Sequence, residues 1–184
     1  MAETLPTYVL VDGENIDRTV GTIFQGRPRP EQRPRWERVK TFVNDTFGSF
    51  TKGLFFLNAS REQPVTFLRA LDFCGWTAVQ LQAPEGVKVV DMGMLKTLNY
   101  LVDKPCHIVL LTHDGDFSAH LTTCVRPGRR LGMLAFPEYL SSAYAGIPGV
   151  EIFDLEDDVG AFDCVLPRNR PIQLDKFDPR TLLD

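Results

Sequence analysis

Short unbroken apolar runs, each closed by a turn or an acid, alternate along most of the chain with stretches in which apolar residues recur every third or fourth position. Tyr8-Val9-Leu10-Val11, bounded by Pro6 and Gly13, reads as a central parallel strand covered on both faces, because a half-buried strand would alternate. Lys52–Leu57, Trp76–Leu81, Cys106–Thr112 and Leu131–Phe136 predict four further strands, with Val150–Phe153 as a sixth at the edge. Helical spacing links Trp36, Val39, Phe42, Val43 and Phe47 up to Gly48, a residue able to take the left-handed conformation that ends a helix. Val65, Leu68 and Leu71, with Phe67 beside them, predict the next helix, opened by Pro64 and closed by Gly75. Met94, Leu95, Leu98, Leu101 and Val102 form another apolar stripe. Phe117, Leu121 and Val125 form one that stops at Pro127-Gly128, and a short helix follows over Tyr139–Tyr144.

Strands alternating with helices imply a parallel sheet, since right-handed crossovers lay successive helices on its faces. The expected fold is α/β, a three-layer α/β/α sandwich with a mainly parallel central sheet of five or six strands. Gly26 to Lys40 interrupts the pattern with Arg27, Pro28, Arg29, Pro30, Arg33, Pro34, Arg35 and Arg38, a basic loop too rich in proline for a helix before about Trp36. After residue 155, Glu156-Asp157-Asp158 and Pro167, Pro171 and Pro179 carry little periodicity. The expected organisation is one domain over 1–155 and an irregular C-terminal tail over 156–184. Length agrees: 184 residues with 43% hydrophobic content bury roughly 70% of their unfolded surface around one core.

Charge narrows the partners less. Twenty basic against 24 acidic side chains give a formal charge of −4, so any polyanion must be held by local patches. Cys74, Cys106, Cys124 and Cys164 lie far apart with no Cys-x-x-Cys pair, which points to free and mostly buried thiols rather than a zinc cage. The first residues lack a basic segment followed by an apolar stretch, and no window approaches the ~20 apolar residues of a membrane helix, so a cytoplasmic location and no membrane contact are expected.

The chemistry is concentrated where apolar runs end. The first strand stops at Asp12-Gly13-Glu14-Asn15, Lys88-Val89-Val90 gives way to a helix at Asp91, and the fourth strand runs into Thr112-His113-Asp114-Gly115-Asp116-Phe117. In a parallel sheet the loops at the carboxyl ends face one crevice, where the strand order reverses. Asp12, Asp91, Asp114 and Asp116 crowded there would repel one another unless a cation offset them, and magnesium and manganese prefer such oxygen ligands. A hard dication beside a phosphodiester points to hydrolysis by an activated water. Each acid also has an ordinary reading: Asp12-Gly13 as turn chemistry, Asp114 as a helix cap, Asp91 as a first-turn acid favoured by the dipole. Covalent phosphatase chemistry at Asp12 ranks lower, because Glu14 stands where a second aspartate is usual. Neither Gly-x-Gly-x-x-Gly nor a Gly-Lys-Ser/Thr loop occurs, against dinucleotide or nucleoside triphosphate use.

Asp12-Gly13-Glu14-Asn15, Lys88-x-x-Asp91 and Thr112-His113-Asp114-Gly115-Asp116-Phe117, in that order, resemble the NYN domain family of the PIN-like nuclease group over roughly residues 7 to 155. The resemblance implies a PIN-like fold and a metal-dependent endoribonuclease. It implies Asp12, Asp91, Asp114 and Asp116 as ligands of Mg2+ or Mn2+, with Asn15 supporting the first acid and Thr112 in the small hydroxyl position. His113 departs from the family in being bulky, and the arginine-proline insert is not required by it. The partner implied is RNA, single-stranded or structured. Lys88 reads either as a solvated loop residue or as a contact to a substrate phosphate. Arg27, Arg29, Arg33 and Arg35 read either as a mobile loop or as a phosphate-contacting patch. The rival reading is a catalytically silent NYN-like module that binds RNA or a protein, with the tail available for docking. The sequence carries no signal for the oligomeric state.

Overall fold

In the computed structural model, which describes residues 5–172 and 174–183, the apolar run at the N-terminus becomes β1 (Thr7–Asp12) and lies at the centre of the sheet. Val9 and Val11 face one core while Leu10 faces another, so every side chain of the run is buried and no alternation appears. The chain continues through α1 (Gly13–Ile23), α2 (Trp36–Phe47), β2 (Lys52–Asn58), α3 (Val65–Phe73), β3 (Trp76–Leu81), α4 (Val89–Leu101), β4 (His107–Leu111), α5 (Ser118–Thr123), β5 (Leu131–Ala135), β6 (Val150–Asp154) and α6 (Arg180–Leu183). All six strands are parallel, in the order β3-β2-β1-β4-β5-β6. Helices α1, α2 and α3 cover one face, α4 and α5 the other, which gives the expected three layers.

The largest departure from the sequence reading is α1, which follows β1 with no intervening loop. Ile16, Val20 and Ile23 are its buried apolar side chains, with Thr19 completing the stripe, so the helical period is interrupted by a polar residue that is nonetheless buried. Tyr139–Tyr144, expected as a short helix, contains only a single 3-10 turn over Ser142–Tyr144. The two glycine stops hold: Gly48 and Gly75 have φ of 80° and 84°. The four cysteines are free, Cys106 and Cys124 fully within the core.

Beyond β6 the chain has little regular structure, yet Leu155, Val159, Ala161, Phe162 and Leu166 are buried in the same core as α1 and α2. The arginine-proline insert holds this segment in place. Arg35 and Arg38 both bind Asp163, at 2.6 and 2.5 Å, and Arg38 also donates to the Gly160 and Phe162 carbonyls.

Gly13 sets the distance between α1 and the sheet. A Cβ there would lie 2.3 Å from Phe55 Cε1 and 3.1 Å from Leu57 Cδ2, closer than packed carbons tolerate. Gly13→Ala is therefore expected to lower stability by about 1–3 kcal/mol, read from the denaturant midpoint. A midpoint unchanged from wild type would mean that β2 yields without cost.

Candidate functional site

Connections from β1 run outward through β2 to β3, whereas those from β4 run the other way through β5 to β6. The strand order therefore reverses between β1 and β4, and a crevice opens at their carboxyl ends. Asp12 is the last residue of β1 and the cap of α1: its Oδ1 accepts from Asn15 N at 3.0 Å. Its Oδ2 lies 3.5 Å from Thr112 Oγ1, and that hydroxyl in turn accepts from Asp114 N at 3.2 Å. Asp114 Oδ1 caps the 3-10 turn Gly115–Phe117 by accepting from Asp116 N at 3.0 Å. Asp91 reaches the crevice from the first turn of α4.

Asp91, Asp114 and Asp116 each offer a carboxylate oxygen, and these oxygens lie within 4.8 Å of one another. Asp12 is outside the trio but lines a cleft of about 330 Å³ with two of its members, Asp91 and Asp114, and with Glu14, Arg18 and Arg61. At 4% exposure, Asp12 is pushed up to a pKa of about 6, first by burial and then by the nearby charges of Asp91 and Glu14. Burial raises the Asp91 carboxyl as well, with Lys88 opposing. The Lys88 ammonium lies 3.0 Å from Asp116 and 3.5 Å from Asp91 on a side chain 69% exposed, so a mobile cation already sits between two of the acids. Among the described residues Glu14 Oε1 is buried with no hydrogen-bond partner. Hard oxygen donors, a desolvated carboxylate and an orphaned carboxylate oxygen in one cleft fit a hard divalent cation.

The sequence matches the NYN domain over residues 6–145. The chain belongs to the NYN domain family. NYN domains are generally nucleases, and the acidic cluster of this NYN chain lies where a PIN-like fold presents its loops. Its fold is similar to the crystal structure of a protein of unknown function from Vibrio parahaemolyticus, with a TM-score of 0.68 and 14% identity over 86% of this chain and 97% of that one. Glucose dehydrogenase from Haloferax mediterranei, in complex with NADP, zinc and gluconolactone, overlaps at a TM-score of 0.42 and 9% identity, over 87% of this chain and 41% of that one. No curated protein sequence matches the chain. Among the described residues no helix is long and apolar enough to cross a membrane.

The other anticipated residues of this NYN chain fall into different roles. Thr112, which the resemblance puts in the small hydroxyl position, is fully buried, and its hydroxyl is used between Asp12 and the Asp114 amide. Asn15 supports Asp12 through its backbone only; its side-chain oxygen accepts from His113 N and from His113 Nδ1, both at 2.9 Å. Phe136 N donates to His113 Nε2 at 2.9 Å, so Nε2 carries no proton and Nδ1 is the donor. Burial holds His113 at a pKa of about 4, and its ring stacks on Phe136 at 5.6 Å. The bulky family departure is thus a neutral staple that joins α1, the Asp114 turn and the end of β5. Arg33 is paired with Asp17 at 2.7 Å and Arg35 with Asp163, both away from the acids, while Arg27 and Arg29 are exposed.

Sequence reasoning missed Glu14, Arg18 and Arg61 as cleft residues, and Tyr144, which is buried and donates its hydroxyl to the Asp114 carbonyl. Glu14 and Arg18 sit four apart on α1, a spacing that would have put both on one side had the helix been recognised.

Proposed function

We propose that this chain is a metal-dependent endoribonuclease that hydrolyses RNA phosphodiester bonds with water as the nucleophile. The observation that carries the reading is the meeting of Asp91, Asp114 and Asp116 within 4.8 Å at the sheet's reversal point, with desolvated Asp12 in the same cleft. Those three aspartates would hold Mg2+ or Mn2+, with Asp12 as the fourth acid of the site. When bound, such an ion lowers the pKa of a coordinated water and offsets charge on the scissile phosphate. Asp114 is held for this at its backbone by Tyr144 on its carbonyl and Thr112 on its amide, and at its carboxylate by the Asp116 amide. With the acids holding a cation, Lys88 would be released from them and its exposed side chain would be available to a substrate phosphate. In-line attack leaves a 5′-phosphate and a 3′-hydroxyl, and the 2′-hydroxyl takes no part.

Cleavage of single-stranded and structured RNA is expected to stop in chelator and to return with manganese. Cleavage indifferent to chelator, or an unchanged rate in Asp114→Asn, overturns the reading. Lys88 also favours a second one, because its ammonium offsets part of the cluster's charge without any ion. On that reading the chain is a silent NYN module that binds RNA or a protein, with exposed Leu174, Phe177, Leu182 and Leu183 available for docking. Calorimetry with manganese tests the pair: the nuclease must bind the ion, whereas the silent module need not, so absent binding rules out the nuclease.

A further inference from the structure

A second cavity, of about 410 Å³, opens against α1 next to the acidic cleft and shares Glu14, Arg18 and Arg61 with it. Its volume is within the ~300–1,000 Å³ range of pockets that enclose small organic ligands. The wall is aromatic: Phe55 lies at its base with Trp36 at 4.7 Å and Phe67 at 5.7 Å, and both outer rings are half-buried. The rim carries four arginines beside the acids Glu14, Asp17 and Glu62. Among the described residues Arg18 and Arg27 have no carboxylate partner, whereas Arg33 is held by Asp17 at 2.7 Å and Arg61 lies 3.5 Å from Glu14.

A wall of edge-packed aromatic rings beside cations, next to a cleft read as one for phosphodiesters, fits a nucleotide better than any ligand of one character. An acidic peptide would use the arginines and leave the rings idle, and an apolar ligand would do the reverse. We propose that this cavity is a nucleotide subsite, which receives one unpaired base of an RNA strand whose backbone crosses the acidic cleft. The inference rests on the reading of that cleft as a nuclease site. Arg18 and Arg61, common to both cavities, lie along the backbone between the base and the scissile phosphate. The base stacks against the Trp36 and Phe67 side, with Arg27 at the mouth. A paired base stays within its helix, so the subsite selects single-stranded or looped RNA. It also gives the arginine-proline insert a role, since Arg27, Arg33 and Trp36 reach the cavity from that segment and its flank.

The test is titration of the full chain with nucleoside monophosphates in chelator, followed by calorimetry and by tryptophan fluorescence, with ribose 5-phosphate as the probe lacking a base. Mononucleotide binding is expected with a change in emission, at least tenfold tighter than ribose 5-phosphate, because base stacking on an aromatic contributes roughly that factor or more. Phe67→Leu keeps an apolar side chain but not the ring, and Arg27→Ala removes an exposed cation. Each is expected to weaken the mononucleotide, Phe67→Leu by roughly tenfold, with an unchanged circular dichroism spectrum as the check on folding. Absent binding, equal binding of ribose 5-phosphate, or an unaffected Phe67→Leu overturns the subsite. The two readings fail separately. Mononucleotide binding without manganese-dependent cleavage sinks the nuclease and leaves a nucleotide-binding module, whereas cleavage without mononucleotide binding sinks the subsite alone.

Discussion

Asp12→Asn is expected to make the protein more stable and, on the nuclease reading, inactive. Asp12 titrates at about 6 in the fold against an ordinary 3.8, chiefly because burial disfavours its charge. Between those two values the folded state binds more protons than the unfolded chain, so stability falls as pH rises through the window and has been lost by pH 7. At about 1.4 kcal/mol per pH unit of separation, the ionised carboxylate costs on the order of 3 kcal/mol at neutral pH. Asparagine keeps an oxygen for Asn15 N and carries no charge, so a gain of about 1–3 kcal/mol is expected without metal, a rise of several degrees in Tm. Activity in manganese should fall on the order of a thousandfold, equivalent to ~4 kcal/mol of transition-state stabilisation. A charge retained at the expense of stability marks a group kept for chemistry.

His113 bears on the same experiment with the opposite sign. Its pKa of about 4 lies below the ordinary 6.5, so its contribution is present above pH 6.5 and is lost as pH falls through 4. In the wild type the two groups oppose one another between about pH 4 and 6, and the stability profile there is nearly flat. In Asp12→Asn the His113 slope stands alone, and stability should drop by on the order of 3 kcal/mol from pH 6.5 to 4. Denaturant melts across that range check both curves. An Asp12→Asn protein less stable than wild type at pH 7 in chelator would mean that the Asp12 charge is compensated within the fold.

What the sequence disclosed and what it hid differ in range along the chain. Apolar runs covered on both faces specify buried strands locally, and the acids that end β1 and β4 are adjacent because those strands pair, with Thr7 opposite His107 through Val11 opposite Leu111. Long-range polar pairing leaves no such mark. His113 finds Asn15 and Thr19 almost a hundred positions away, and nothing in the residues around a histidine says that it will be buried neutral. The same holds for the insert: clustered arginines read as a phosphate patch, but Arg33 and Arg35 have aspartates as partners, one in the overlooked α1 and one in the stretch read as irregular. Helix α1 itself was obscured by its own chemistry, since the motif residues Glu14 and Asn15 and the buried Thr19 occupy positions where a helix usually shows apolar spacing.

Arg168→Met should cost more stability than any other single substitution discussed. The Arg168 side chain is 2% exposed and makes two fork-shaped pairs, with Glu138 at 2.6 and 2.6 Å and with Asp154 at 2.8 and 2.6 Å, plus a bond to Glu156 at 3.1 Å. Its guanidinium also lies 4.7 Å over the Phe136 ring. One cation therefore serves three carboxylates that are themselves 11–15% exposed, and it holds Glu138 and Asp154 below their ordinary pKa values. A methionine fills the volume and leaves Glu138 and Asp154 facing one another without a counter-ion, with Glu156 held by Arg170 alone, a loss of about 3–5 kcal/mol at pH 7 and roughly 10 °C in Tm. Lysine should not rescue it, since a point charge cannot make two forks. The carboxylates' contribution is present above their ordinary pKa values and is lost as pH falls through the depressed ones, so the gap between Arg168→Met and wild type should narrow below about pH 4. The damage also reaches the acidic cleft: Phe136 beneath the guanidinium donates its amide to His113, which holds Asn15 beside Asp12. Melts at pH 7 and pH 3.5 decide the matter, and an Arg168→Met variant within ~1 kcal/mol of wild type at pH 7 would show that the segment after β6 is held without the Arg168 ion pairs.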